Sequence, residues 1–247
     1  MARPDSPPPP LPSSAPVRAV SFDLDDTLWP IAPVLARAER ALMAWLAEHY
    51  PRVGRRLTLD DMAALRDRLI EEQPSLARDM SALRRAVLRR AAALAGYDDS
   101  LVEPAFDVFL HYRNQIRFYP EVVQVLEALR PRYRLGAISN GNADIARVGL
   151  SEHFRFAISA SRLGRAKPHP ATFRAAADAA GVDLAHMVHV GDDPQSDIAG
   201  ARALGLRTVW VNRTELAWPE EAGPVPRHEI RSLVELPALL KAWESGA

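Results

Sequence analysis

Cysteine is absent from all 247 residues, which rules out disulfides, thiolate catalysis and cysteine-ligated metal and agrees with a reducing, cytoplasmic setting. An excess of charge of either sign is also missing. Lys plus Arg and Asp plus Glu each number 31, so nothing indicates nucleic acid or another polyanion as a partner. No apolar run approaches the roughly 20 residues of a membrane-spanning helix, and no membrane partner is expected. The seven histidines show no metal-ligand spacing, and there is no Gly-x-x-x-x-Gly-Lys loop to cradle a nucleotide. The first sixteen residues are rich in proline and serine without an apolar h-region, so 1–16 is expected to be a disordered lead-in and not a signal peptide or anchor. With 48% hydrophobic residues, the chain can bury one large core, or a core carrying an insertion. A small molecule suits it better as a substrate.

What is present begins with acid. Asp23-Leu24-Asp25-Asp26 follows an apolar run at 17–22, and Thr27 comes next. Carboxylates crowded at the end of a buried strand repel one another and lose hydration, a cost that a cation or a transferring proton lowers. Strand side chains alternate with period two, which puts Asp23 and Asp25 on one side and Asp26 on the other. Asp23 and Asp25 are then the working pair, and Asp26 faces loop or caps the following turn.

Helical spacing follows at once. Leu35, Ala38, Leu42, Trp45 and Leu46 mark one helix with Pro33 in its first turn, and three more segments centre on 62–69, 80–94 ending at Gly96, and 101–112. Residues 29–117 thus form an all-helical insert behind the acidic turn. From Tyr119 onward short apolar strands alternate with helices: strands at 135–138, 156–158, 187–190 and 208–211, and helices at 143–149, 170–180 and 194–204. This predicts an α/β fold, a doubly wound parallel sheet with helices on both faces, whose ligands gather at the carboxyl ends of the strands.

Every strong polar cluster of this half falls at such an end or beside one: Ser139 and Asn140, Lys167 in a loop, and Asp192, Asp193 and Asp197. Taken singly, Ser139 and Asn140 could cap a helix, Asp192 to Asp197 could be a helix start, and Lys167 could be a surface charge. Together they supply what phosphoryl transfer requires: donors for phosphate oxygens, a lysine to offset their charge, and acids on two strands for a divalent cation. His186 and His189 flank a buried strand and read as structural, while Arg84-Arg85 and Arg89-Arg90 read as a solvated helix face.

In these motifs and their order the chain resembles the haloacid dehalogenase superfamily, and the insert resembles its C1-type helical cap, giving a core of 17–28 and 118–247 and a cap of 29–117. The resemblance implies that Asp23 is a nucleophile forming an aspartyl-phosphate and that Asp25 is the acid and base, with a raised pKa. It further implies Mg2+ held by the Asp23 carboxylate, the Asp25 backbone carbonyl and Asp192, with Asp193 or Asp197 behind them. Thr27, Ser139, Asn140 and Lys167 would bind phosphate. Members that cleave carbon–halogen bonds lack an acid at the position of Asp25, since halide leaves without a proton, so the resemblance is to the phosphatases.

The runs at 138–143, 164–168 and 189–193 are similar to bacterial flavin-pathway phosphatases, which act on 5-amino-6-(5-phospho-D-ribitylamino)uracil and FMN. Trp29, Tyr112 and Arg113 of the insert could then face a flavin-like ring, or simply pack. Nucleoside monophosphates and sugar phosphates are alternative substrates, and a phosphomutase or a non-catalytic phospho-ligand binder are alternative functions. A phosphorylated signalling receiver shares the acids and the lysine, but it carries no helical insert.

Overall fold

The computed structural model describes residues 15–244, so the lead-in expected over 1–16 lies outside the described residues except for its last two. Among the described residues, six parallel strands form one sheet. They are β1 (Ala19–Phe22), β2 (Arg134–Ser139), β3 (Phe156–Ser159), β4 (Met187–Gly191), β5 (Arg207–Val211) and β6 (Glu229–Ile230), in the order β3-β2-β1-β4-β5-β6. Winding reverses at β1, so the carboxyl ends of β2, β1 and β4 stand side by side at the switch point where such sheets bind ligands.

Alternation along the strands feeds two cores. Val20, Phe22, Val188, Val190 and Val209 pack under α6 (Val122–Leu129) and α10 (Leu236–Glu244). On the opposite face, Ala19, Ile138 and Met187 pack against Phe173, Ala176 and Ala180 of α8 (Pro170–Ala180). Each fully buried large apolar side chain stabilises the fold by about 1.5–3 kcal/mol, which is why β1 and β4 carry no exposed position.

Between β1 and α6 the chain makes α1 (Ile31–His49), α2 (Pro51–Arg56), α3 (Leu59–Glu72), α4 (Met80–Ala95) and α5 (Val102–Arg113). Asp26 starts this unit, its Oδ1 accepting from the Ile31 N–H at 2.9 Å, the capping role expected of it. Thr58 and Asp61 form a capping box on α3, Asp79 caps α4, and Gly96 ends α4 in the left-handed region at φ 70°. These helices share their own core, in which Leu42, Leu46, Met62, Val87, Leu88 and Phe106 are buried together.

Several elements differ from the expectation. Residues 143–149 make a single turn and no helix: Asp144 caps its start through the Ala146 and Arg147 N–H groups, Asn114 Oδ1 takes the Asp144 N–H at 2.7 Å, and Gly149 at φ 83° ends it before a second turn can form. The helix expected over 194–204 starts as a π-helix, Pro194–Ala199, because the Ile198 N–H reaches back five residues to the Asp193 carbonyl. It then narrows into α9 (Gly200–Arg202). The short elements α2, α6 and β6 were not anticipated, since a brief apolar run fits helix and strand alike. The same holds for α10 and for the four-residue α7 (Ala160–Leu163). Trp29 faces no ring site: it is fully buried and meets Phe118 edge-on at 5.8 Å.

Candidate active site

Asp23 leaves the end of β1 with its N–H held by the Val190 carbonyl at 2.8 Å, a main-chain link that fixes the first acid against β4. Lys167 arrives from the loop between α7 and α8. Its buried Nζ donates to Asp23 Oδ1 at 2.5 Å, Asp197 Oδ1 at 2.6 Å and the Ile138 carbonyl at 2.8 Å. Three acceptors satisfy all three ammonium protons, so the charge is buried without an orphan donor. Burial would lower the Lys167 pKa, but Asp197 and Asp23 raise it well above the ordinary value, and the lysine remains a cation.

Asp197 is held from both sides. Burial would raise it, yet Lys167 and His189 keep it well below the usual carboxylate range. His189, on β4 itself, bridges Asp197 Oδ1 at 2.9 Å and Ser21 Oγ at 2.9 Å; burial lowers its pKa. This histidine stays structural as expected, but it props an acid of the site. Gly191 permits the approach, because a Cβ there would lie 2.4 Å from Asp197 Cγ.

Asp192 receives a hydrogen bond from Thr27 Oγ1 at 3.0 Å and is pushed up to about 7, first by burial and then by the Asp197 charge. The buried Thr27 hydroxyl thus orients Asp192, where a phosphate contact was expected. Asp193 turns outward and caps the π-helix through the Gln195 and Ser196 N–H groups. Of the two candidates for the outer position, Asp197 is the one at the cluster. Oxygen atoms of Asp23, Asp192 and Asp197 lie within 4.8 Å of one another. Burial, followed by the opposing pull of Lys167 and the push of Asp197, Asp192 and Asp25, leaves Asp23 raised well above its ordinary pKa. One lysine does not neutralise this many carboxylates, so the donor set fits a hard divalent cation with oxygen ligands.

Asp25 sits at the mouth. Trp29 Nε1 donates to its Oδ1 at 2.9 Å, and Arg113 Nη2, at the end of α5, donates to Oδ1 at 2.8 Å and Oδ2 at 2.6 Å. Burial raises the Asp25 pKa and Arg113 opposes it, with a net rise, the direction expected of a group that delivers a proton. Ser139 ends β2 with its Oγ accepting from the Gly141 N–H at 3.0 Å. The Asn140 side chain takes the Lys167 N–H at 2.7 Å and donates to the Lys167 carbonyl at 3.0 Å. Asp23, Asp25, Ser139, Asn140, Lys167 and Asp192 therefore converge at the switch point, with Thr27 and Asp197 directly behind them and Asp193 apart. Arg113 was read in the sequence only as a ring-facing or packing residue, and no local pattern pairs it with an acid 88 positions away.

The model of the haloacid dehalogenase-like hydrolases matches residues 17–205. Over 230 residues, 91% of this chain and 96% of the relative, it is 29% identical to the 5-amino-6-(5-phospho-D-ribitylamino)uracil phosphatase YigB of Escherichia coli. The 2-haloacid dehalogenase from Pseudomonas syringae pv. Tomato superposes with a TM-score of 0.85 at 45% identity, covering 92% of this chain and 99% of that one. A HAD phosphatase from Thermococcus onnurineus does so at 0.65 with 25% identity, over 91% and 98%. Motifs, strand order and a family match over most of its length agree: the chain is an enzyme and belongs to the haloacid dehalogenase-like hydrolase family.

Proposed function

We propose that the protein is a magnesium-dependent phosphate monoester hydrolase working through an aspartyl-phosphate on Asp23. The observation that carries this reading is the pairing of two differently held carboxylates: Asp23 against Lys167 Nζ at 2.5 Å, and Asp25 raised by burial at the mouth. An Asp23 oxygen attacks phosphorus while the ester oxygen departs with a proton from Asp25. Asp25 then takes a proton from water, whose oxygen attacks phosphorus and frees Asp23 and phosphate. The Ser139 hydroxyl and the Asn140 N–H hold phosphoryl oxygens, and Lys167 offsets their charge as Asp23 approaches. The Asp23 carboxylate, the Asp25 carbonyl and Asp192 would hold Mg2+, braced by Asp197 and by Thr27; a bound cation supplies charge neutralisation at the phosphate. Residues 29–117, with their separate core, act as the cap.

Similarity to YigB supports a small phosphorylated metabolite as substrate, with 5-amino-6-(5-phospho-D-ribitylamino)uracil and FMN among those to assay. The 45% identity to a protein named as a dehalogenase favours a second reading, hydrolysis of a carbon–halogen bond. A halide leaves without a proton, and this chain retains the acid Asp25, so phosphate release is the better-supported reaction.

The decisive assay measures phosphate from p-nitrophenyl phosphate and halide from 2-chloropropionate, each with magnesium and with chelator. Magnesium-dependent phosphate release that Asp23→Asn abolishes, with an unchanged circular dichroism spectrum, is the expected result. Halide release without phosphate release would overturn the proposal.

A further inference from the structure

Asp25 presents two unlike oxygens. Its Oδ1 accepts from Trp29 Nε1 at 2.9 Å and from Arg113 Nη2 at 2.8 Å, while Oδ2 accepts from the same Nη2 alone, at 2.6 Å. A carboxyl oxygen has about two lone-pair sites. Oδ1 is therefore filled, and Oδ2 keeps one site open.

The open oxygen is the one beside the end of β2. A Cβ placed on Gly141 would lie 2.6 Å from Asp25 Oδ2, 3.1 Å from Arg113 Nη2 and 3.3 Å from Ser139 Oγ, so the bare main chain at 141 is what lets Oδ2 come up next to Ser139. Both donors are held in turn. Trp29 is fully buried in the same core as Phe22 and Leu24. Arg113 is 2% exposed at the end of α5, and the next residue seats that end: Asn114 Oδ1 accepts the Asp144 N–H at 2.7 Å, and its Nδ2 donates to the Leu110 carbonyl at 2.7 Å.

We propose that Arg113 and Trp29 are positioning residues that occupy Oδ1 of Asp25 and so aim Oδ2 at the ester oxygen, whose bond to phosphorus breaks as the Oδ2 proton passes to it. The inference rests on the phosphatase reading above and adds two residues to it. A carboxyl free to turn about its Cβ–Cγ bond would present either oxygen at any angle, and fixing one approach geometry is a large part of what a proton-transferring group contributes. One donor comes from the segment that leads into the cap. The other comes from α5, which belongs to the cap core through Phe106 and Phe109. A plain ion pair tying cap to core would use the same arginine, but its loss would not depend on the leaving group.

The test measures kcat and KM for ethyl phosphate and p-nitrophenyl phosphate with magnesium, in variants whose fold is checked by circular dichroism. Arg113→Gln should lower kcat on ethyl phosphate by about 10- to 100-fold and on p-nitrophenyl phosphate by no more than about threefold, with KM little changed on both. In an Asp25→Asn background the same change should alter ethyl phosphate turnover by no more than about threefold, since the group it positions is already gone. Trp29→Phe, which keeps a ring and loses the N–H, should give a smaller loss with the same bias, and Arg113→Lys, which keeps the charge but not the fork, should fall between Arg113→Gln and wild type. Equal fractional losses on both esters in the folded variants, or full multiplication of the losses in the double variant, overturn the inference, while turnover of p-nitrophenyl phosphate preserves the phosphatase reading. If neither Arg113 variant folds, Trp29→Phe decides, and an unchanged ratio of the two esters overturns the inference. No phosphate from either ester with the wild type overturns both.

Discussion

The Asn140 side chain holds Lys167 by its main chain, Oδ1 accepting the Lys167 N–H at 2.7 Å and Nδ2 donating to the Lys167 carbonyl at 3.0 Å. An amide is a peptide analogue, and here it pairs with another backbone as a neighbouring strand would. The loop carrying the buried ammonium is therefore tied to the end of β2, and Asp197 and the Ile138 carbonyl hold the ammonium itself beside Asp23. Asn140→Ala removes both bonds. Misplacement of a catalytic group by about 1 Å can cost on the order of 10²-fold, so kcat on p-nitrophenyl phosphate should fall by roughly that factor while KM changes little. Asn140→Asp keeps the acceptor alone and should fall between. Full activity in the alanine variant would show that the Lys167 loop holds itself.

Asp25 is asked to do a job that depends on the leaving group. An alkoxide leaves poorly without a proton, a nitrophenolate leaves well, and general acid catalysis contributes about 10²–10⁴-fold where it is needed. Asp25→Asn should therefore depress kcat on alkyl phosphates far more than on p-nitrophenyl phosphate, read as two ratios of mutant to wild type under the same conditions. Equal losses on both substrates would remove the acid role and leave Asp25 as an anchor for Arg113 and Trp29.

Much of this arrangement could be read from the chain, for a physical reason. β1, β2 and β4 are short, apolar and buried, so the first polar residues after them mark where the sheet ends and where side chains must meet. Asp23, Ser139 and Asp192 were legible on that ground, and Gly96 and Gly181 marked helix ends because each takes a positive φ. Contacts set by the approach of separate elements were not legible. Arg113 meets Asp25 only because α5 returns to the core beside the acidic turn, and Thr27 meets Asp192 only because β1 and β4 are neighbours. The segment 143–149 misled because its spacing is helical while Gly149, at φ 83°, ends it after a single turn.

The crowded carboxylates give the cation a thermodynamic signature independent of turnover. A ligand that binds only the folded state stabilises it by RT ln(1 + [L]/Kd), about 2.7 kcal/mol at a hundred times Kd. Magnesium should raise the unfolding temperature of the wild type, and Asp192→Asn should abolish the rise while unfolding at or above the wild-type temperature without metal, since a buried carboxylate raised to about 7 is relieved. Differential scanning fluorimetry across a magnesium titration reads both effects. An undiminished shift in the variant would place the cation elsewhere.

His189 links the same cluster to pH. Burial holds its folded pKa below the ordinary 6.5, so on acidification the unfolded chain takes up a proton that the folded chain refuses. The stability from a neutral His189 is fully present above about pH 6.5 and is lost as pH falls below it. Asp192 works the other way: its folded pKa is raised, so the folded state binds the proton first between about 3.8 and 7 and gains stability as pH falls through that window. The two terms partly cancel in the wild type, but only one of them is removed by His189→Gln, whose amide still donates to Asp197 and does not titrate. Urea midpoints of the metal-free proteins from pH 7.5 to 5.5 should therefore fall less, or rise more, in the variant than in the wild type. Parallel curves would mean that His189 titrates alike in both states and that Asp197 does not depend on its neutrality.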